Sequence, residues 1–198
     1  MLAIALLAAA SLLPEFEVVV GYASPNADGF REGPLAPALG ARAGIDFADH
    51  LTLSARVLGV AGPETSSSFC GGSGGCRSGS ASFRAISGFA SLRLHTAGDL
   101  QGFIEGDLGV GHLISLSDND LFENPAEHGR GGLAYQVGAG GRWFVTRGVA
   151  LGVELAWTSW TNVSRPAFTY GNQNVPARND LAASAFLVLL SVGFSPGR

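Results

Sequence analysis

The sequence predicts an all-β fold, an eight-stranded antiparallel up-and-down transmembrane β-barrel. Three observations predict it. Apolar residues alternate with polar or small ones along eight segments, the segments are long, and short and long connections alternate between them.

The composition favours a wall that faces lipid. Charged residues make up 14% of the chain and lysine is absent, whereas a soluble domain has about 25% charged residues. Beyond the N-terminus no run of about 18 apolar residues predicts a helical span, so strands must cross the bilayer. The net charge is -4 and no basic run is present, which argues against nucleic acid as a partner.

The alternation is clearest between residues 149 and 157. One face of this segment consists of Val149, Leu151, Val153, Leu155 and Trp157. The opposite face consists of small or polar residues: Ala150, Gly152, Glu154, Ala156 and Thr158. Such a period of two predicts a strand with one apolar face.

The same reading places eight strands, with ends uncertain by about 2–4 residues. They cover residues 15–23, 37–48, 50–61, 82–95, 99–116, 131–146, 148–161 and 180–194. Most reach the roughly 9–11 residues that a tilted strand needs to cross the hydrocarbon, and soluble strands average about 5–6. The length favours a membrane barrel over a soluble sandwich.

The connections alternate in length. Tight turns around Asp49, Thr96-Ala97-Gly98 and Arg147 join strands 2–3, 4–5 and 6–7, and long loops rich in Gly, Pro, Ser and Asn join the other pairs. Outer-membrane barrels combine short periplasmic turns with long extracellular loops and an even strand number. We therefore expect both termini in the periplasm and all long loops outside a bacterial cell.

Aromatic residues in the apolar phase fall near the two predicted rims. The periplasmic group is Phe16, Phe47, Trp143 and Phe194, and the outer group is Tyr22, Tyr135 and Trp157. Two such girdles are typical of membrane barrels. The alternative is an ordinary aromatic core in a soluble β-protein.

The face of the strands opposite the apolar one carries nearly all of their charged residues. Its charged members are Glu17, Arg42, Asp46, Arg56, Arg93, Glu105, Asp107, Arg142 and Glu154. The interior of an eight-stranded barrel is just wide enough for side chains to fill, so we expect arginines and carboxylates to pair across it. We favour this structural role over an ion path, and expect Glu105, Arg142 and Glu154 in one network.

The N-terminal segment and the two cysteines point to export. Residues 1–13 are apolar and rich in alanine and leucine, which predicts a signal peptide before a barrel domain of residues 14–198. A charged N-terminal region is missing from this segment. Cys70 and Cys76 are the only cysteines, and a short loop with two cysteines in an exported chain predicts a disulfide. Two free thiols are the alternative.

The alternating segments and the C-terminal stretch 185–194, AFLVLLSVGF, resemble small outer-membrane barrels of the OmpA/OmpX-like porin family. The resemblance covers nearly the whole chain after residue 13. It implies a terminal aromatic residue that the barrel-assembly machinery reads. Phe194 matches that residue, although residues 195–198 follow it.

No motif for a cofactor or a metal is present, and we expect a non-enzymatic, monomeric barrel. Its lipid-facing wall would contact outer-membrane lipid, and its loops would contact an unidentified extracellular partner. Three alternatives stay open: a narrow conduit, a lipid-A-modifying enzyme using His112 with Ser115 or Ser117, and a soluble ligand-binding barrel. The serines lie in the opposite phase to His112, which argues against the enzyme.

Overall fold

The computed structural model of the protein describes residues 12–27, 35–47, 50–62, 65–71, 75–119, 126–165, 168–170, 173–175 and 178–196. These residues form β-strands, turns and short connections. No helix within them has the length and apolarity that a membrane-spanning helix needs. Most of the predicted signal segment, residues 1–11, lies outside this part of the chain, and Leu12 and Leu13 begin the first strand.

Eight long strands of the described residues form the barrel. They are β1 (Leu12–Ala27), β2 (Ala36–Phe47), β3 (Leu51–Ala61), β5 (Gly75–His95), β6 (Leu100–Asn119), β7 (Ala126–Thr146), β8 (Val149–Arg165) and β11 (Arg178–Phe194). Three shorter strands lie between them: β4 (Thr65–Gly71), β9 (Phe168–Tyr170) and β10 (Gln173–Val175).

The barrel is closed and every neighbouring pair is antiparallel. Each long strand pairs with the next along the chain, and β1 and β11 join the two ends, with Phe16 opposite Phe194. Strand β3 pairs with β5, so β4 lies outside the ring. The predicted eight-stranded up-and-down barrel is confirmed.

Two of the segments predicted as irregular loops are paired strands. Strand β5 begins at Gly75 instead of residue 82, and its first part pairs with β4 from Thr65 opposite Ala81 to Gly71 opposite Gly75. Strands β9 and β10 form a second, separate two-stranded sheet. Serine and glycine give no period of two, so alternation alone does not reveal these hairpins.

The short connections are tight turns, and two of them need glycine. Gly98 has φ of 104° and Gly148 has φ of 90°, values that a residue without a Cβ adopts at little cost. The Gly148 carbonyl accepts a hydrogen bond from the Ser195 amide at 2.7 Å, which ties the end of β11 to the β7–β8 turn. Residues 48 and 49 of the β2–β3 turn lie outside the described residues.

The wall is apolar outside and polar or small inside. The outward side chains include thirty large apolar residues that remain exposed, among them Val18, Leu108 and Leu190. The inward side chains are buried around the barrel axis. A soluble barrel would have the reverse arrangement, since exposed apolar surface on this scale is unfavourable in water.

Candidate functional site

The inward side chains nearest the short turns form a buried ionic cluster, which we call the lumen cluster. Its nine members are Glu15, Glu17, Arg42, Arg56, Arg93, Glu105, Asp107, Arg142 and Glu154, and none is more than 5% exposed. They come from seven strands and meet at the barrel axis because the period of two turns each of them inward.

Glu105 on β6 is the centre of the lumen cluster. It accepts hydrogen bonds from Arg42, from Arg93 at 2.7 Å and from Arg56 at 3.2 Å. Arg42 also donates to Glu17 at 2.5 Å. A carboxylate shared among three guanidinium groups ties β6 to β2, β3 and β5 at one point.

A second branch of the cluster reaches the short-turn end. Arg142 lies 2.6 Å from Glu15, and Glu15 lies 3.5 Å from Arg93. Arg142 also donates to Gln101 at 2.5 Å. Contacts through Glu15, Arg93 and Glu105 therefore link Arg142 to the centre.

The cluster also reaches across to β8. Arg56 donates to Glu154 at 2.8 Å and lies 3.4 Å from Asp107. Gln136 donates to Glu154 at 3.2 Å and accepts from Thr158 at 2.6 Å. Glu105, Arg142 and Glu154 are thus part of one connected network.

Asp46 makes a contact nearer the short-turn end of the barrel than the centre of the cluster. Its carboxylate lies 3.1 Å from Nε2 of His95, and both side chains are buried. The sequence analysis placed Asp46 among the lumen residues and did not predict a contact with His95. The structure brings them together because the end of β5 lies beside the end of β3, which pairs with β2.

Above the lumen cluster the interior is apolar, and we call this part the apolar layer. Its buried members are Val19, Ala23, Ala36, Ala38, Leu58, Val60, Phe83, Ala85, Phe89, Leu113, Ala134, Ala156, Trp160, Ala183, Ala185, Leu187 and Leu189. Most of them lie in the halves of the strands nearest the long connections, whereas Phe89, Leu187 and Leu189 lie in the halves nearest the short turns. The lumen is therefore mainly apolar toward the long connections and mainly ionic toward the short turns.

Trp160 on β8 is the largest side chain of the apolar layer. It is 1% exposed, its ring meets Phe83 edge-on at 5.8 Å, and its indole N–H donates to the Ser87 hydroxyl at 2.9 Å. Gly111 on β6 lies against the same indole, where a Cβ would collide with the ring. The indole thus spans the lumen from β8 to β5 and satisfies its one polar group there.

The residues of the two predicted aromatic girdles lie at different heights along the strands. Phe16 and Phe194 are opposite each other near the short turns, and Phe47 and Trp143 lie at the same end of their strands. Tyr22 lies toward the long-connection end of β1, and Tyr135 and Trp157 lie near the middle of β7 and β8. The Tyr135 and Trp157 rings meet edge-on at 5.6 Å on the outer wall.

The two cysteines are directly opposed in the backbone register of the β4–β5 hairpin. Cys70 is the register partner of Cys76, one pair before the hairpin turn. Directly opposed residues of antiparallel strands have Cα atoms about 4.5–5.5 Å apart, within the range that a disulfide spans. Their side chains lie outside what the structure describes, so the disulfide stays a prediction.

Several lumen residues were missed in the sequence analysis. Glu15 lies two residues before Glu17 and so shares its inward phase, although it only marks the start of the predicted strand. Trp160 likewise shares the inward phase of Glu154 and Thr158. Phe103 lies inward as well, with the Arg93 guanidinium carbon 4.0 Å from the centre of its ring. Extending each strand's phase to its ends would have found all three.

No group of three or more His, Cys, Asp or Glu side chains in the described ranges is arranged to hold a metal ion. The carboxylates of the lumen cluster lie instead among guanidinium groups, which supply their charge partners. The chemistry that this interior supports is ionic cross-linking of the strands.

No protein-family model matches the sequence, and no curated protein matches it. Solved structures of similar fold do exist. Neisserial surface protein A (NspA) has a TM-score of 0.60 at 11% identity, over 90% of this chain and 96% of that one. Ail of Yersinia pestis, in complex with the heparin analogue sucrose octasulfate, has a TM-score of 0.50 at 12% identity, over 91% and 99%.

The outer membrane enzyme PagL has a TM-score of 0.47 at 14% identity, over 89% of this chain and 97% of its own. At these identities the likeness is one of fold. An apolar wall around an ionic interior is the arrangement that a lipid bilayer requires of a strand-built protein. The chain has the fold of small outer-membrane β-barrels such as NspA, and its apolar wall is suited to a lipid bilayer.

Proposed function

We propose that the protein is a closed outer-membrane barrel with a structural or surface-interaction role, carried by its long outer connections. The observation that supports this is the filling of the lumen by two buried layers in series. Rigid strands that hold exposed connections are a common basis for binding. We propose a binding partner outside the cell and name no ligand for it.

The lumen cluster and the apolar layer would each oppose conduction. In the cluster, arginine–carboxylate contacts replace the water that an ion needs along its path. In the apolar layer, Trp160 and Phe83 meet across the lumen and leave little polar surface. An apolar constriction excludes water, and therefore ions.

Conductance measurements test the closed lumen. We expect the purified barrel to give no steady channels in planar bilayers and no solute entry in liposome swelling. Trp157→Ala, which alters only the outer wall, should behave in the same way. Protease protection of the strands in the same liposomes checks insertion. Steady single-channel steps from the wild-type protein would support the narrow conduit instead.

An epitope tag tests the direction of the connections. A tag inserted between β9 and β10 should be labelled by antibody on intact cells, because this hairpin belongs to the outer end. A tag inserted between Ala97 and Gly98 should be labelled only after the outer membrane is opened. The reverse labelling would contradict an outward role for the long connections.

The lipid-A-modifying alternative depends on His112 with Ser115 or Ser117. His112 faces outward and is exposed, while the serines alternate with it along β6 and their side chains are outside the described part of the chain. A nucleophile and its base must come within hydrogen-bond reach, and alternation opposes this. Mass spectrometry of lipid A with and without the gene should show no change. A lost or gained acyl chain would support the enzyme.

The remaining expectations complete the proposal. The fold is consistent with four further expectations. They are export by a cleaved N-terminal segment, insertion through the barrel-assembly machinery at Phe194, a Cys70–Cys76 disulfide and a monomeric state. Phe194 is exposed at the periplasmic end of β11, opposite Phe16. That position leaves the aromatic ring accessible from the membrane side.

A further inference from the structure

We infer that the outer wall carries a site for a phosphorylated lipid of the outer leaflet, formed by Arg84 on β5 and His112 on β6 with an adjoining groove. The phosphate would contact the two basic side chains, and an acyl chain would lie in the groove. This inference does not rest on the proposed role of the long connections.

Register brings the two basic side chains together. Ile86 is opposite His112, and Arg84 is opposite Ile114. Arg84 and His112 are therefore diagonal neighbours on one face of adjacent strands, a spacing of about 7–8 Å that long side chains bridge. Both are exposed on the outer wall. A phosphate between them would receive N–H donors from both.

These two residues are exceptions on the wall. Among the strand residues whose side chains the structure describes, the other arginines, aspartates and glutamates are buried inside the barrel. Neither Arg84 nor His112 forms an ion pair with another described residue. An arginine facing acyl chains near the bilayer centre costs about 2–4 kcal/mol, and near the interface about 0–1. An anion at the interface would give the Arg84 charge a partner.

The height of the pair matches a lipid headgroup. Tyr135, in the outer aromatic girdle, is opposite Leu108 on β6. His112 lies four residues farther along β6 toward the outer end, which is about 14 Å along the strand. The pair thus lies above the girdle, where the polar part of an outer-leaflet lipid begins.

A groove in the wall begins beside the pair. It is lined by Val57, Ile86, Gly88, Val110, His112 and Gly132, with Ser87, Gly111 and Gly131 completing it. No atom lies within 4 Å of where a Cβ of Gly88 would stand. The space beside Gly88 on the wall is therefore open. Packing within the barrel does not require a glycine at this position.

The groove selects a lipid over a free anion. Apart from Ser87 and the His112 end, its lining is apolar or glycine, so it would bind an acyl chain, while inorganic phosphate would have only the two surface side chains. Charge complementarity with Arg84 favours an anionic lipid over an uncharged one. The phosphorylated glycolipid of the outer leaflet combines both features.

Native mass spectrometry of the folded barrel tests the site. The purified protein is mixed with diphosphorylated lipid A, with dephosphorylated lipid A, or with inorganic phosphate, and the retained lipid is counted. We expect the wild type to retain lipid A about tenfold better than its dephosphorylated form, and phosphate not to compete. Arg84→Gln and His112→Gln should each reduce retention several-fold.

Matched glycine variants test the groove separately. Gly88→Leu should fill the groove and reduce retention of lipid A. Gly106→Leu, at an outward position on β6 that is equally open but outside the groove, should leave it unchanged. Equal retention by wild type, Arg84→Gln and Gly88→Leu would overturn the site. Efficient competition by phosphate would overturn the lipid assignment. Heat-modifiable gel migration checks that each variant is folded.

Discussion

Arg56 on β3 and Glu154 on β8 form an ion pair of 2.8 Å from opposite sides of the barrel. Around the ring, β8 is the fourth strand from β3 in either direction. This contact, and the contacts of Glu105 with Arg42 and Arg56, therefore connect strands that share no backbone hydrogen bonds. A buried pair does not by itself add stability, but loss of one partner leaves an unpaired charge in a dry interior.

Arg56→Leu should destabilise the folded barrel strongly, because Glu154 and Asp107 would then lose a charge partner. The cost of breaking a buried pair is about 3–5 kcal/mol. Arg142→Leu should act in the same direction, since it leaves Glu15 with only a longer contact to Arg93. The measurement is the unfolding temperature on semi-native gels together with urea unfolding.

Arg147→Leu provides the control for these two substitutions. Arg147 lies in the exposed β7–β8 turn, so its loss should change stability by less than about 0.5 kcal/mol. If Arg56→Leu and Arg147→Leu unfold at the same temperature as the wild type, the lumen cluster does not hold the strands together.

Gly109 and Gly106 on β6 form a second matched pair. A Cβ at Gly109 would lie 2.8 Å from both the Gly88 carbonyl carbon and the Phe89 Cα, whereas a Cβ at Gly106 has no atom within 4 Å. Gly109→Val should therefore strain the β5–β6 ladder and reduce the folded yield, while Gly106→Val should be tolerated. Folding into vesicles of defined lipid measures both. Equal yields would contradict the inward crowding of Gly109.

The Cys70–Cys76 pair should be oxidised in the exported protein. We expect alkylation to modify both thiols only after reduction, as measured by intact mass. The bridge closes a short loop in a peripheral hairpin, and so contributes about 2 kcal/mol at most. Cys70→Ser should leave the barrel folded and expose one reactive thiol. Full alkylation without reductant would show that the thiols are free.

Alternation along the strands was sufficient to predict the barrel, its strand order and which face is apolar. For example, the phase of Glu154 and Thr158 correctly turns Leu155 and Trp157 outward. Such local periodicity determines the face of each residue because successive side chains of a strand point to opposite sides.

The division of the lumen into two layers was not predicted. Leu187 and Leu189 gave a mixed inward face on β11, and only the folded structure shows that they join the same buried apolar cluster as Trp160. The sequence also could not predict which arginine pairs with which carboxylate, because Arg56 and Glu154 meet only when the ring of strands closes. The β4–β5 hairpin was missed because serine and glycine carry no periodic signal.

Tryptophan quenching by brominated acyl chains tests the assignment of the two faces most directly. Trp157 is 40% exposed on the outer wall, and Trp160, three residues later, is 1% exposed in the lumen. In proteins that retain one of the two, with the other tryptophans changed to phenylalanine, Trp157 should be strongly quenched and Trp160 should not. Strong quenching of Trp160 with none of Trp157 would contradict the account.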